Sequence, residues 1–355
     1  MPPETPAGAR LAVLSHPRFH DHAPPGFHPE RPRRLEAAEL GAQRGAAAPG
    51  VRPVRVPLRE ATREELERAH DAAWLDRLER TLAGPAGYLD ADTYFNDATR
   101  DAAWLAAGSA CALVEALCRD EADLAMLLAR PPGHHATRNR AMGFCVLNNV
   151  AVAAAHALSL GFERVAVVDW DVHHGNGTQD IFYNHPGVLF VSLHESPTYP
   201  DTGYVHETGG PAAPGMTVNL PLPSGCDGGA YALAFEHVVL PVLCEAAPDL
   251  VLISAGYDAH AQDPLASMLL ERGDYRWMAA RLRDVAHLSA GGRVGVILEG
   301  GYDLTALEES VEDTLLGLAD PSSAERPKPT PQSRSADAVI RAVERAHKGF
   351  WKSLR

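Results

Sequence analysis

Lysine is almost missing from this chain: Lys328, Lys348 and Lys352 are the only ones, and arginine supplies the other cations. The bias matches the coding preference of a GC-rich bacterium and carries no mechanism. Long apolar runs are missing as well. No stretch reaches about 18 apolar residues without a charge, and no basic-then-apolar segment opens the chain, which argues against a membrane span and a secretory leader. Cysteine is scarce, with Cys111, Cys118, Cys145, Cys226 and Cys244 odd in number and mostly in apolar segments. That suits reduced thiols in a cytoplasm better than a disulfide framework. Positive charge is outweighed: a net charge of −14 argues against nucleic acid as a direct partner and favours cationic substrates such as Lys-rich peptides or polyamines. There are no internal repeats.

What is present is an alternation of strand and helix signals, the pattern of a parallel sheet. Strands are predicted over Leu11–Ser15, Pro53–Val56, Leu124–Ala129, Val165–Asp169, Val188–Leu193, Thr217–Leu220, Leu250–Ala255 and Val294–Leu298. Helices are predicted over Arg33–Arg44, Arg63–Ala69, Ala73–Leu82, Ala98–Cys118, Asn149–Leu160, Ala230–Ala246, Tyr275–Ala290 and Thr305–Leu316. The expected fold is α/β, a single domain with a mainly parallel eight-stranded sheet and helices on both faces. Residues 1–10 read as a disordered tail, 11–320 as the catalytic domain and 321–335 as a linker. Residues 336–355 read as a helix packed on that domain through Ile340, Val343, Phe350 and Leu354. Ser196–Gly215 is long, rich in Pro and Gly and follows a strand, as active-site loops do.

Four of the strands empty into unusual loops. Val167 and Val168 lead into Asp169-Trp170-Asp171-Val172-His173-His174-Gly175-Asn176. On extended backbone Asp171 and His173 point to the same side and can grip one ion, with Asp169 one step back and His174 turned away. Leu250–Gly256 ends in Tyr257-Asp258-Ala259-His260, and Asp258 supplies the third ligand that a catalytic zinc site needs, leaving a fourth position for water. Leu124–Ala129 runs into Arg130-Pro131-Pro132-Gly133-His134-His135, where two adjacent imidazoles suit a site better than a core. Val294–Leu298 ends in Glu299-Gly300-Gly301-Tyr302, whose glycines allow close backbone approach. His20, Asp21 and His22 read as a polar loop at the rim, and His156, His237 and His287 as surface or satisfied core residues.

Together, PPGHHA, MGFCVLNN, VDWDVHHGNGTQ, SAGYDAH and LEGGYDL resemble the zinc-dependent histone deacetylase family, and are similar in particular to its class II branch and to acetylpolyamine amidohydrolases. The resemblance runs from about Leu11 to Asp320 and includes His28-Pro29-Glu30-Arg31-Pro32. It implies an arginase/deacetylase-type fold and one catalytic Zn2+ per chain on Asp171, His173 and Asp258. It implies His134 and His135 as the pair flanking the water, hydrogen-bonded to Asp169 and Asn176, with His135 the less basic and the proton carrier. It makes Tyr302 the donor to the developing oxyanion. Gly143-Phe144 and Tyr199 match a narrow acyl-lysine tunnel, Asp92 the rim residue that binds substrate backbone, and Leu265 the gatekeeper. The polyamine-selective branch carries Glu at that gate. Potassium is expected near Asp169, Asp171, His173, Ser192 and Leu193, partly through backbone carbonyls.

The implied reaction is hydrolysis of the acyl amide of acyl-lysine, in a peptide or protein, or of an acylated small amine such as an acetylpolyamine or a biosynthetic intermediate. Two other classes share the fold or the scaffold. A binuclear manganese ureohydrolase needs Asp-x-Asp at the later strand, where this chain has Asp258-Ala259-His260. A non-catalytic acyl-lysine binder is disfavoured by Tyr302 and the complete His134/His135 pair. Homo-oligomerisation stays open.

Overall fold

In the computed structural model, which describes residues 8–354, the eight apolar runs form one sheet. Its strands are β1 (Ala9–Leu14), β2 (Val51–Val54), β5 (Leu124–Leu127), β6 (Val165–Asp169), β7 (Val188–Glu195), β8 (Thr217–Leu222), β9 (Leu250–Ala255) and β10 (Val294–Leu298). Their order is β2-β1-β5-β10-β9-β6-β7-β8, and every pairing is parallel. Strands β5, β6, β9 and β10 are buried along their whole length, which is why they read as continuous apolar runs rather than alternating ones. They are also the four central neighbours. Their C-terminal ends therefore open into one crevice, where open α/β sheets place their sites.

Helices α1 (Arg18–Asp21), α2 (Pro32–Ala46), α3 (Arg63–Glu67), α4 (Ala72–Leu82), α5 (Thr99–Cys118), α6 (Asn149–Ser159), α7 (Asn176–Phe182), α8 (Gly228–Ala234), α9 (Leu240–Ala246), α10 (Arg272–Ser289), α11 (Leu304–Ala319) and α12 (Asp337–His347) cover the sheet. On one side α5 and α6 pack together, and on the other α2, α11 and α10 do. α5 is long and apolar enough to cross a membrane, but most of it is buried inside the protein.

Several expectations change. Residues 1–7 of the expected tail lie outside the described residues, but Ala9 and Arg10 belong to β1. Arg10 donates its backbone N–H to Asp123 Oδ2 at 2.8 Å. The expected helix Ala230–Ala246 is broken by a π-turn over Phe235–Val239. Pro241 has no N–H to return to the turn before it, which explains the break. The expected linker is a docked strap. Ser333 and Thr330 hydroxyls donate to Asp227 at 2.7 and 2.5 Å, and Arg326 forks onto Glu236 at 2.6 and 2.7 Å. The last helix stops at His347, two residues before Gly349, so the expected stripe is interrupted. Ile340, Val343 and Leu354 are buried, while Phe350 is 45% exposed. A short hairpin, β3 (Gly87–Tyr88) with β4 (Tyr94–Phe95), carries Asp90 and Asp92 at its turn and was not expected. Its strands are too short to show a period.

Candidate active site

The β6 loop turns Asp171 and His173 inward, and the β9 loop brings Asp258 to meet them. Nδ1 of His173 lies 3.2 Å from Asp171 Oδ1 and 3.2 Å from Asp258 Oδ2. Backbone N–H groups fix the carboxylates: His173 donates to Asp171 Oδ1 at 2.9 Å, Gly300 to Asp171 Oδ2 at 2.8 Å and Val172 to Asp258 Oδ1 at 2.9 Å. Burial opposes charge on His173, but Asp171 and Asp258 overcome it and hold the imidazole well above its usual range. Burial and the Asp171 charge push Asp258 up. Two carboxylates and one imidazole converging in a buried cleft form the donor set of a three-ligand divalent site.

The loop after β5 places the histidine pair beside that triple, rings 4.0 Å apart. His134 Nδ1 is 2.9 Å from Asp169 Oδ2, and His135 Nδ1 is 2.7 Å from Asn176 Oδ1. Burial works against protonation of both. At His134 the charges of Asp169 and Asp171 win and raise it to about 10. At His135 burial is reinforced by His134 and His173, and the ring is held well below the usual histidine range. An amide partner cannot do for an imidazolium what a carboxylate does.

Above these groups is a cavity of about 220 Å³. His135, His173 and Tyr302 reach it from below. Gly143, Phe144 and Tyr199 form its walls, and Asp92, Thr198 and Leu265 its mouth. Gly143 has φ +57, and a Cβ there would sit 2.5 Å from the His135 ring, so only glycine fits. Phe144 is also left-handed, at φ 68, and its N–H donates to the buried Thr93 hydroxyl at 3.0 Å. Tyr199 meets His135 edge-on at 5.1 Å, and Phe144 meets Tyr302 edge-on at 6.0 Å. Burial and neighbouring Asp90 raise Asp92 above the usual carboxylate range. Ser192 and Leu193 lie on β7, where Ser192 is the register partner of Asp169. His174 does turn away from the carboxylates.

Three supports escaped the sequence reading. Glu299 accepts from Gly133 N at 2.7 Å and His134 N at 3.1 Å, tying the β10 and β5 loops together. Asp263 accepts from Tyr302 N at 2.6 Å, Asp303 N at 3.3 Å and Leu265 N at 3.0 Å, which fixes the backbone of both residues facing the cavity. Arg34 donates to Gly301 O and Glu299 O at 2.5 and 2.6 Å, and its guanidinium lies 4.8 Å from the Tyr302 ring centre. Arg34 pairs with Glu30, which Arg130 also grips, and all three are buried. Each of these acids sits inside a motif without a partner in sequence, and that was the available signal. His22, expected at the rim, is buried against Thr99 Oγ1 at 2.8 Å.

A profile of the histone deacetylase domain matches residues 28–318. Histone deacetylase 15 of Arabidopsis thaliana is 38% identical across 99% of this chain, and a probable deacetylase of Archaeoglobus fulgidus is 35% identical across 97% of this chain and 99% of its own length. The solved structure titled "Crystal Structure of HDA15 HD domain" superposes with a TM-score of 0.89 at 36% identity, covering 98% of both chains. The chain spans 63% of the length of Histone deacetylase 15 and 63% of that of Histone deacetylase 10, chloroplastic, of Oryza sativa. On profile, identity and coverage together, the chain belongs to the histone deacetylase domain family.

Proposed function

We propose that this chain is a zinc-dependent amidohydrolase that removes the acyl group from acyl-lysine or a related acylated primary amine. The observation that carries the reading is the meeting of the Asp171–His173–Asp258 triple, ligand atoms within 4.8 Å of one another, with a cavity that His135 and Tyr302 also line. Zinc held there would polarise the amide carbonyl and acidify a water. His135, neutral in its surroundings, accepts the water's proton and returns it to the leaving amine. His134, paired with Asp169, contributes positive charge beside the reacting carbonyl. The Tyr302 hydroxyl donates to the carbonyl oxygen as it gains charge, and Asp263 and Arg34 hold that tyrosine in place. Phe144 and Tyr199 leave width for an unbranched chain, and Asp92 takes a donor from the substrate at the mouth.

Potassium near Asp169, Asp171, His173, Ser192 and Leu193 belongs to the same reading, supported by the side-by-side placement of Asp169 and Ser192. So does a cytoplasmic setting, supported by five free thiols. Leu265 puts no charge at the gate where the polyamine-selective branch carries Glu, which favours acyl-lysine, while the Asp92 carboxylate lining the same cavity keeps an acetylpolyamine as the alternative substrate. The test is metal analysis of purified protein together with hydrolysis of acetyl-lysine peptides, longer acyl-lysines, acetylputrescine and acetylspermidine. One zinc per chain with acetyl-lysine hydrolysis is expected. Two transition-metal ions per chain, or no hydrolysis of any acylated amine, would overturn it.

A further inference from the structure

His174 is the member of the Asp-x-Asp-x-His-His motif that the chemistry leaves unused. It is buried and bonded on both nitrogens, with Nε2 3.0 Å from Gln179 Oε1 and Nδ1 2.8 Å from Thr202 Oγ1. The directions of these bonds are forced. Gln179 Nε2 donates to Glu207 Oε2 at 3.1 Å, so its Oε1 is an acceptor and His174 Nε2 must carry the proton. The Thr202 hydroxyl then donates to Nδ1. A second buried imidazole, His194 at the end of β7, sits 4.8 Å from the first. Its Nε2 donates to the Gly203 carbonyl at 3.1 Å, so its Nδ1 accepts from Ser192 Oγ at 3.0 Å. Glu207 also accepts from Gly203 N and Tyr204 N at 3.1 and 3.0 Å. Two consecutive loop residues are thus bonded to two core histidines. Between the rings passes Gly203, at φ +84, where a Cβ would lie 2.6 Å from both.

Three residues before Thr202 the same loop presents Tyr199, edge-on to His135 at 5.1 Å and to His173 at 6.3 Å. We infer that His174 and His194 are positioning residues that dock the loop through Thr202 and Gly203 and so set the Tyr199 wall of the tunnel before substrate arrives. The inference rests on the deacylase reading. A docked wall is preorganised, so its loss weakens substrate binding more than the chemical step.

Thr202→Val keeps the shape and removes the proton that His174 Nδ1 accepts. It is expected to raise KM for an acetyl-lysine peptide about tenfold while kcat stays within about twofold and zinc content is unchanged. Thr202→Ser restores the hydroxyl and should restore KM. Gly203→Ala should raise KM further. Amide hydrogen exchange over residues 198–209 should speed up in Thr202→Val and not in Thr202→Ser. Unchanged KM with faster loop exchange, or an equal fall in kcat, would overturn the positioning role. If the wild-type chain hydrolysed none of the substrates, the deacylase reading would fail. The docking would then be judged on exchange alone, with unaltered exchange in Thr202→Val overturning it.

Discussion

Among the described residues, two buried triples bring metal-ligating atoms within 4.8 Å of one another, Asp171–His173–Asp258 and Glu65–Cys111–His156. Distance does not separate them; charge balance does. At the first, among the described residues, the Asp171 and Asp258 carboxylates accept hydrogen bonds only from backbone N–H groups and His173. His134 Nε2 lies 3.8 Å from Asp171 Oδ1 but is tied to Asp169, so three carboxylates stand against two imidazoles. At the second, Arg59 forks onto Glu65 at 2.8 and 2.6 Å and reaches Glu115 at 2.6 Å. Arg68 donates to His156 Nδ1 at 3.1 Å, and His156 Nε2 donates to Glu115 at 3.1 Å. Burial pushes the Cys111 thiol up, away from the thiolate a metal needs. The Glu65 carboxylate and both nitrogens of His156 already have hydrogen-bond partners there. The first triple demands a cation from outside, whereas the second carries its own.

The sharpest break of this comparison is metal content. Asp258→Ala should lose the bound zinc and lower turnover at least about 10³-fold, since Lewis-acid stabilisation is worth several kcal/mol. Cys111→Ser should keep one ion per chain by elemental analysis. A second ion in the wild type that disappears in Cys111→Ser would abolish the distinction. Next comes the histidine pair. His135→Ala should lower kcat about 10²–10⁴-fold with zinc retained, and His134→Ala less, because only His135 faces the cavity and only His134 is tied to a carboxylate. A slower His134 variant would reverse the assignment. Smaller again is Tyr302→Phe, expected to cost roughly 10²–10³ in kcat with little change in KM. The ring stays under Arg34, so the wall is preserved. A near-normal kcat on the best substrate would remove the oxyanion role.

Much of this was legible beforehand because strand ends and ligands share one local code. Val165–Asp169 and Leu250–Ala255 are apolar runs whose first polar residues face the crevice, so both the strands and Asp171, His173 and Asp258 could be read from short windows. What could not be read depends on contacts between distant segments. Asp263 holds Tyr302 across 39 residues and Glu299 holds Gly133 across 166. Nothing near either acid in sequence announces its partner. The strap over 321–335 has the composition of a linker, and Asp227, which accepts from Thr330 and Ser333, lies far upstream. The second triple leaves no mark in any short window, since α3, α5 and α6 each contribute a single member.

The smallest effect tests whether the second triple is self-neutralised as described. Burial would raise the Glu65 carboxyl, but Arg59 and the Thr62 N–H overcome it and hold it near about 2. A carboxyl depressed in the folded protein adds stability at pH values above its unfolded pKa of about 4.3. That contribution is lost as pH falls through the interval down to the folded value. Arg59 is 34% exposed, so solvent screening reduces the contribution to about 1 kcal/mol. Denaturant unfolding of metal-stripped protein, stepped from pH 5 to pH 2, removes any ion at the first triple from the comparison. Over that range wild type should lose about 1 kcal/mol more than Glu65→Gln, which has no carboxyl there to protonate. Zinc content of the two proteins at neutral pH should be identical. Parallel acid curves would mean that Arg59 does not hold Glu65 ionised, and the charge argument separating the two triples would lose its second half.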